Sequence, residues 1–475
     1  MNIKVPFVIH PTPVAEPASP DYTVAINGQP VFVHQARVSA QPINQVWPGY
    51  QRPLEQTEIA AFAAWDMSGP VEVSVVCTRP IHNVKVRPSA RGLQPAQDGQ
   101  TLRFTLDRPG QLTVEVNGMH QALHLFANPL ETDLPDPKDP AVRYFGPGEH
   151  APGVIRMTSG QTVYLAAGAL VHGAILAEKA DNIAIRGRGI LDGSQMERGA
   201  VSALINTINC NQVVIEGLTL RDPCGWTVVP VLCRHVQIRN IKLIGLWRYN
   251  ADGIDFVNSR NCSLEDTFVR SYDDCIVFKG LQGWSSAKCN FEPVTEIQVR
   301  RCVLWCDWGR ALEIGAETMA SEISHLLFED CDIIHSLDVA MDLQNGDRAH
   351  CHNLLFKNIR VELDDDQTQP MYQTAKGQVY QAAGRHISQL IVAVIGKNMW
   401  SHDTLRGRTE QIRFQDLAVA AWAMPEIYLA GLDAEHMVRD ITIENLRVNG
   451  CPVRNQDESR LTILPFVERV LVAGK

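Results

Sequence analysis

The chain reads as all-β, with an antiparallel β-sandwich over residues 1–128, a linker over 129–140 and a parallel β-helix over 141–475. Two observations predict this. A short alternating phrase recurs through the C-terminal two-thirds at a step of about one solenoid coil. The N-terminal part has alternating strands too, but no such recurrence.

Taken in chain order, Val24-Ala-Ile26, Val31-Phe-Val33, Val71-Glu-Val-Ser-Val75, Leu102-Arg-Phe-Thr-Leu106 and Leu112-Thr-Val-Glu-Val116 alternate apolar and other residues between Gly, Pro and Asn. That is the pattern of short strands in a sandwich. Pro129-Leu-Glu-Thr-Asp-Leu-Pro-Asp-Pro-Lys-Asp-Pro140 breaks both strand and helix and reads as the linker. Tyr144-Phe-Gly-Pro-Gly-Glu-His150 and Thr162-Val-Tyr-Leu-Ala-Ala-Gly-Ala-Leu-Val171 then open the solenoid.

The recurring phrase is Asn182-Ile-Ala-Ile-Arg-Gly187, Gln212-Val-Val-Ile-Glu-Gly217, His235-Val-Gln-Ile-Arg-Asn240, Asn261-Cys-Ser-Leu-Glu-Asp266 and Glu296-Ile-Gln-Val-Arg-Arg301. It continues as His325-Leu-Leu-Phe-Glu-Asp330, Asn353-Leu-Leu-Phe-Lys-Asn358, Gln411-Ile-Arg-Phe-Gln-Asp416 and Asp440-Ile-Thr-Ile-Glu-Asn445. The steps between the starts run from 23 to 35 residues, with one of 58 (differences of the numbers just given). Strict alternation over four or five residues makes each phrase a short strand. The closing Gly, Asn or Asp suits a left-handed turn into a second strand such as Ile241-Lys-Leu243 or Ile359-Arg-Val361. Coils of this length cannot bury an apolar side alone, so they must stack. The step of 58 is twice 29 and predicts one diverged coil between 353 and 411, with Ile387-Ser-Gln-Leu-Ile-Val-Ala-Val394 as its strand.

At 475 residues and 45% hydrophobic content the chain holds enough apolar mass for more than one core. A formal charge of −10 argues against nucleic-acid and anionic-membrane partners. No run of 18 apolar residues exists, and the start has only a brief apolar run, so neither a membrane span nor a signal peptide is expected. The expected location is cytoplasmic, or secreted or periplasmic if a signal was removed. The twelve cysteines are irregularly spaced and read as buried thiols, with neither a disulfide framework nor a metal site; no cofactor is expected.

Chemistry concentrates in Tyr249-Asn-Ala-Asp-Gly-Ile-Asp-Phe256 and Ser271-Tyr-Asp-Asp-Cys-Ile-Val-Phe278, which lie about one repeat apart. Stacking brings residues one repeat apart to about 5 Å, so Asp252 and the pair Asp273-Asp274 converge. Crowded carboxyls, one kept protonated by its neighbour's charge, are the equipment of glycoside hydrolysis, and a carbohydrate is the expected partner. The aromatics Trp226, Trp247, Trp284, Trp305 and Trp308 fall in the same coils; for any one of them core packing is the simpler role, while Trp284 and Trp308 are taken as sugar-facing candidates. Glu313 is a candidate for sugar hydroxyls or a salt bridge to Arg310. Asp255, three residues after Asp252, should by strict alternation face the opposite way unless Gly253 bulges the strand; a structural partner of Lys279 or Arg270 is its simpler role and catalysis the alternative.

With Asn250-Ala-Asp252, Asp273-Asp274-Cys275 and Gly309-Arg-Ala-Leu-Glu-Ile-Gly315 in view, the region from about 140 to 475 resembles the right-handed β-helix glycosidases of glycoside hydrolase families 28 and 49. Those are polygalacturonase-like and dextranase- or isopullulanase-like enzymes, and a preceding β-sandwich is more like family 49. The resemblance implies an inverting hydrolase, with Asp274 as general acid, Asp252 and Asp273 on the attacking water, and Asn250 ordering the cluster. Two departures stand out. Arg310 replaces the His of a Gly-His-Gly stretch, and the Arg-Ile-Lys that grips a uronate falls at Ala340-Met-Asp342. Asp342 would repel a uronate, so the resemblance modified by these residues implies neutral or mixed oligosaccharides, with Lys279 and Arg310 left to bind substrate elsewhere. Two other classes stay open. A Ca²⁺-dependent lyase would give an unsaturated product and stop in chelator, and a non-catalytic glycan-binding solenoid would release no sugar.

Overall fold

The computed structural model describes residues 7–12, 16–40, 54–363, 371–372, 381–382 and 388–474. The phrase strands assemble into one 12-stranded sheet running from Val142–Phe145 to Val467–Ala473. All of its neighbours pair in parallel, and equivalent phrase positions stack: Ile215 on Ile238, Val299 on Phe328, Phe328 on Phe356, Phe356 on Phe414. The Phe328 and Phe356 rings stack at 4.3 Å and Phe356 and Phe414 at 4.8 Å, the coil spacing itself. Each such buried ring stabilises the fold by about 1.5–3 kcal/mol.

From Ile183–Gly187 onward the coils hold three strands where the sequence predicts two. The phrase strand is followed by a second, as in Lys242–Leu246 and Phe268–Ser271, and then by a third, as in Ile254–Val257, Ile276–Gly280 and Arg310–Thr318. Second and third strands make up a 21-stranded sheet. The turn from phrase to second strand is left-handed as expected, with Asn240 at φ 51°, Asp266 at 52° and Asn358 at 53°. A second left-handed position opens the phrase, at Gln212, His235, Asn261, His325 and Asn353, which the sequence did not reveal because these side chains share no turn chemistry. Turn side chains also bond between coils, as where Asn358 Nδ2 donates to Asp330 Oδ1 at 3.0 Å.

The expected extra coil between 353 and 411 is absent. The strand His350–Lys357 pairs directly with Arg408–Gln415, Leu354 opposite Ile412. Ile387 lies outside the described residues, and Gln389–Ile395 is the third strand of the same coil, paired with Val339–Asn345. The long step is therefore one coil carrying insertions.

The N-terminal part is a sandwich of a 6-stranded and a 5-stranded sheet. Its strands are antiparallel except for Leu123–Pro129 beside Thr57–Met67. Both of these strands escaped the alternation pattern because both of their faces are buried. Ala61, Ala63, Trp65, Leu123 and Leu125 fill the sandwich core, while Ala60, Phe62 and Phe126 pack with Phe268, Trp305 and Ile334 of the solenoid. Polar contacts fasten the same joint: Arg188 Nε to Asp66 Oδ1 at 3.0 Å, Gln111 Nε2 to the Asp266 carbonyl at 2.7 Å, Arg87 to Glu362 and Glu115 to His335, with Arg87 Nε also bonded to Glu115 Oε2 at 2.9 Å within the sandwich. Eleven of the twelve cysteines are buried and none of the twelve is in a disulfide.

The turn geometry sets the first prediction. Asn358→Gly and Asn358→Val both remove the bond to Asp330, but only Val places a branched side chain at φ 53°. In urea titrations the Val variant should unfold more readily than the Gly variant by about 1–2 kcal/mol. Equal midpoints would mean that the turn accepts a branched residue without strain.

Candidate active site

The site forms where the chain passes from the second strand of a coil to the third. Asp252 precedes Ile254–Val257, the pair Asp273-Asp274 precedes Ile276–Gly280, and Arg310 opens Arg310–Thr318. Corner follows corner: the Gly253 N–H donates to the Asp274 carbonyl at 2.8 Å, and Cys275 N–H to the Arg310 carbonyl at 2.8 Å. Two glycines permit this approach. A Cβ on Gly253 would lie 2.3 Å from the Cys275 carbonyl oxygen, and one on Gly309 would lie 2.5 Å from Asp274 Oδ1.

The corners line a cleft of about 650 Å³. Of the residues singled out in the sequence, Asn250, Asp252, Asp273, Asp274, Lys279, Trp284, Trp308, Arg310 and Glu313 all line it. Asp342 does not. It is fully buried behind Arg310, accepting from Arg310 Nε at 3.1 Å and from Gln344 Nε2 at 2.7 Å. It therefore acts on substrate only through Arg310. Trp226 and Trp284 stack at 4.7 Å on one wall, and Trp308 stacks on Tyr272 at 5.3 Å. Trp305 belongs to the joint with the sandwich, its Nε1 bonded to Asp307 at 2.7 Å.

Asp255 departs from the alternation argument. Asp252 lies in the turn before the strand, so strand parity does not reach it. Ile254 and Phe256 point into the core, which turns Asp255 outward toward the charged groups. Neither Asp255 oxygen has a hydrogen-bond partner.

Electrostatics divide the carboxyls into two kinds. Asp252, Asp273 and Asp274 are only 3%, 6% and 5% exposed, so water does little to support their charges. Burial, then the charges of Asp273, Asp255 and Asp274, push Asp252 well above the usual carboxylate range. Burial raises Asp255 well above that range too, with the Asp274 and Glu317 charges adding to it and Lys279 only partly opposing it. Burial and the adjacent Asp274 charge push Asp273 up to about 7. Asn250 Nδ2 faces Asp273 Oδ2 at 3.5 Å, while Asn250 Oδ1 accepts from Arg198 Nη2 at 2.7 Å. Asp274 goes the other way. Burial would raise it, but a hydrogen bond from Glu313 and the charges of Arg310 and Lys279 outweigh burial and lower it. Its Oδ1 also accepts the Arg310 backbone N–H at 2.9 Å, and Lys279 Nζ stands 4.0 Å from its Oδ2. Glu313, raised by burial and by Asp274, holds the proton of that bond. Within the adjacent pair, Asp273 is thus raised and Asp274 lowered.

The cations are already paired. Lys279 Nζ lies 3.0 Å from Glu317 Oε2, and burial, which works against its charge, is outweighed by Glu317, Glu313 and Asp274. Arg310 is held by Asp342, with Asp338 and Asp274 at 3.8 and 4.0 Å.

Sequence reading missed Arg198, Tyr249, Gln344, Met399 and Trp400, all of which line the cleft. Tyr249 opens the carboxylate motif and was within reach. Met399 and Trp400 come from the 58-residue step, where no repeat register points to the site.

Comparisons with known proteins agree with this architecture. No family model matches the chain. A stretch of 162 residues is 28% identical to a probable polygalacturonase of Vitis vinifera, covering 33% of this chain and 32% of that protein, so the match spans about a third of the relative's length. Among solved structures, Dex49A from Penicillium minioluteum aligns over 98% of this chain and 96% of that one, with a TM-score of 0.61 at 15% identity. The family 28 exopolygalacturonase of Yersinia enterocolitica aligns over 85% of this chain and 97% of that one, with a TM-score of 0.50 at 14% identity. The fold, a sandwich followed by a right-handed parallel β-helix, is shared with Dex49A over nearly the whole of both chains.

The Asp273 proton has a consequence for stability. A native pKa near 7, against a carboxyl value of 3.8 in the unfolded chain, means that the native state binds more protons between those values. That contribution is lost as pH rises from about 4 to about 7. Asp273→Asn removes the penalty, so its melting temperature should exceed that of the wild type at pH 8 and the gain should shrink toward pH 4. A gain independent of pH would show that Asp273 is ionised across the range.

Proposed function

We propose that the chain is a glycoside hydrolase that cleaves an O-glycosidic bond by single displacement, with inversion at the anomeric carbon. The feature that carries this is a cleft lined by two adjacent buried carboxyls whose surroundings differ, one raised to about 7 by burial and its neighbour's charge, the other lowered. Asp273 is the general acid: its proton goes to the glycosidic oxygen as the bond to the leaving sugar breaks. Asp274, with Asp252, orients a water and takes its proton as the oxygen attacks the opposite face of the ring. Inversion requires acid and base to leave room for a water between them, and Asp252, Asp273 and Asp274 all face the same open cleft. Asn250 holds Asp273, and Lys279 and Arg310 keep Asp274 charged. The names of the similar proteins, polygalacturonase and exopolygalacturonase, support cleavage of a glycosidic bond.

The preferred substrate is a neutral or mixed oligosaccharide. A uronate carboxylate near the acid would have to displace Glu317 from Lys279 or Asp342 from Arg310, both pairs largely withdrawn from water. Breaking a buried pair by drawing one partner away leaves a stranded charge and is costly. Sugar hydroxyls carry no such requirement.

Asp273→Asn should lower kcat by about 10²–10⁴-fold, the worth of a general acid. In the wild type, kcat/KM should decline as pH rises through about 7, where Asp273 loses its proton. A profile flat from pH 6 to 9, or a folded variant with a tenth of the wild-type turnover, would remove Asp273 from that role. Proton NMR should show the anomer opposite to the substrate's forming first. On substrate, reducing-sugar release from neutral α-glycosides with little from oligogalacturonides is the expected result; efficient galacturonate release would show that one of the paired cations opens to accept it.

A further inference from the structure

The last wall of the cleft is an apolar pair standing in water. Met399 is 84% exposed and Trp400 is 39% exposed, and both line the cleft beside Gln344 and Glu317. They sit on the segment between the strands Gln389–Ile395 and Arg408–Gln415, which contains no regular element. An exposed Trp–Met pair on a loose loop would need no explanation. This loop is tightly held. Asp347, fully buried, accepts the backbone N–H groups of His402 and Asp403 at 2.8 Å each, and of Thr318 at 2.9 Å. Asn398 Oδ1 accepts the Trp400 N–H at 2.8 Å, and Ser401 Oγ donates to the Gly346 carbonyl at 2.7 Å. Arg348 pairs with Asp403 and lies 3.9 Å over the Phe291 ring. A Cβ on Gly346 would come within 2.8 Å of Asn398 Nδ2, so the loop is seated directly on the coil.

A buried carboxylate with charge-assisted bonds to three backbone groups is strong anchoring. None of it buries Met399, and Trp400 still keeps 39% of its surface exposed at the cleft. What the anchoring accomplishes is to fix an apolar surface at the cleft edge without an ordering cost when a ligand arrives. The anchor lies on the coil of Val339–Asn345, two coils beyond Ile276–Gly280. Two coil spacings are roughly 10 Å, the span of roughly two pyranose rings along the cleft from the carboxyls.

We propose that Met399 and Trp400 form a distal sugar subsite, binding the C–H face of a neutral pyranose that is not adjacent to the cleaved bond. This rests on the glycosidase reading above and adds that the enzyme selects for chain length. A Trp face and a thioether offer a sugar dispersion contacts and C–H/π geometry without charge, which suits a neutral ring.

The test compares Trp400→Ala, Trp400→Phe and the wild type on α-(1→4)- and α-(1→6)-glucoside ladders from dimer to heptamer. The ratio of kcat/KM for heptamer over dimer should fall about tenfold in Trp400→Ala and stay within about threefold of the wild type in Trp400→Phe. An unchanged ratio in Trp400→Ala overturns the subsite while leaving the hydrolase reading in place. The same ladders are titrated against Asp273→Asn with and without Trp400→Ala, followed by ligand-observed NMR. If the wild type hydrolyses neither ladder, the substrate reading fails, and the titration decides the subsite separately. Heptamer binding weakened about tenfold by Trp400→Ala upholds it; heptamer binding that is absent, or indifferent to Trp400, overturns it.

Discussion

Everything in this molecule depends on the register with which one coil lies on the next. Parallel pairing fixes the spacing between successive coils, and one residue of slip would turn every inward side chain outward. The phrase strands hold that register with an apolar ladder, Ile215 to Ile238 and Phe328 to Phe356 to Phe414. Because it is held there, the corners on the far side of the coil are aligned too. Asp252, Asp274 and Arg310 come from three coils and meet because their corners stack. No local segment could assemble them, and no flexible loop is needed to do so.

Alignment creates an electrostatic problem that the site then uses. Several carboxyls are taken out of water at once, and they cannot all be ionised. The fold resolves the crowding unevenly. Lys279, Arg310 and a hydrogen bond from Glu313 outweigh burial at Asp274, while at Asp273 burial and the Asp274 charge outweigh the same two cations, and the Asn250 amide stands at 3.5 Å. One carboxyl is lowered and the next is raised. Their difference lies in what surrounds them, since chemically the two side chains are identical. The cations that make this division are consumed by it, each closing a buried pair with Glu317 or Asp342, and that in turn limits what charge the cleft can accept.

The sandwich contributes to the same economy of order. It docks on the second-strand face through Phe62, Phe126, Phe268 and Trp305, with Arg270 stacked 3.7 Å over Trp305 and set 3.6 Å from Asp307. Asp307 leads directly into Trp308, Gly309 and Arg310, so the joint between the two parts stiffens the corner from which Arg310 reaches the site.

The sequence by itself determined the solenoid, its phrase strands, the left-handed closing turns and the convergence of Asp252 with Asp273 and Asp274. Those follow from periodicity and turn chemistry, which are local. It did not disclose the third strand of each coil. There the outward positions carry Asp255, Lys279 and Glu313, ionisable yet buried, so the apolar-polar alternation that marks a strand is lost where the site is built. Arithmetic on the 58-residue step also misled, because twice an average coil and one coil with insertions have the same length. Only the tertiary structure decided how unequal the surroundings of two adjacent aspartates are, that Asp342 lies behind Arg310, and that Met399 and Trp400 reach the cleft. Each of these depends on burial and on neighbours from other coils, quantities that a linear order of residues does not contain.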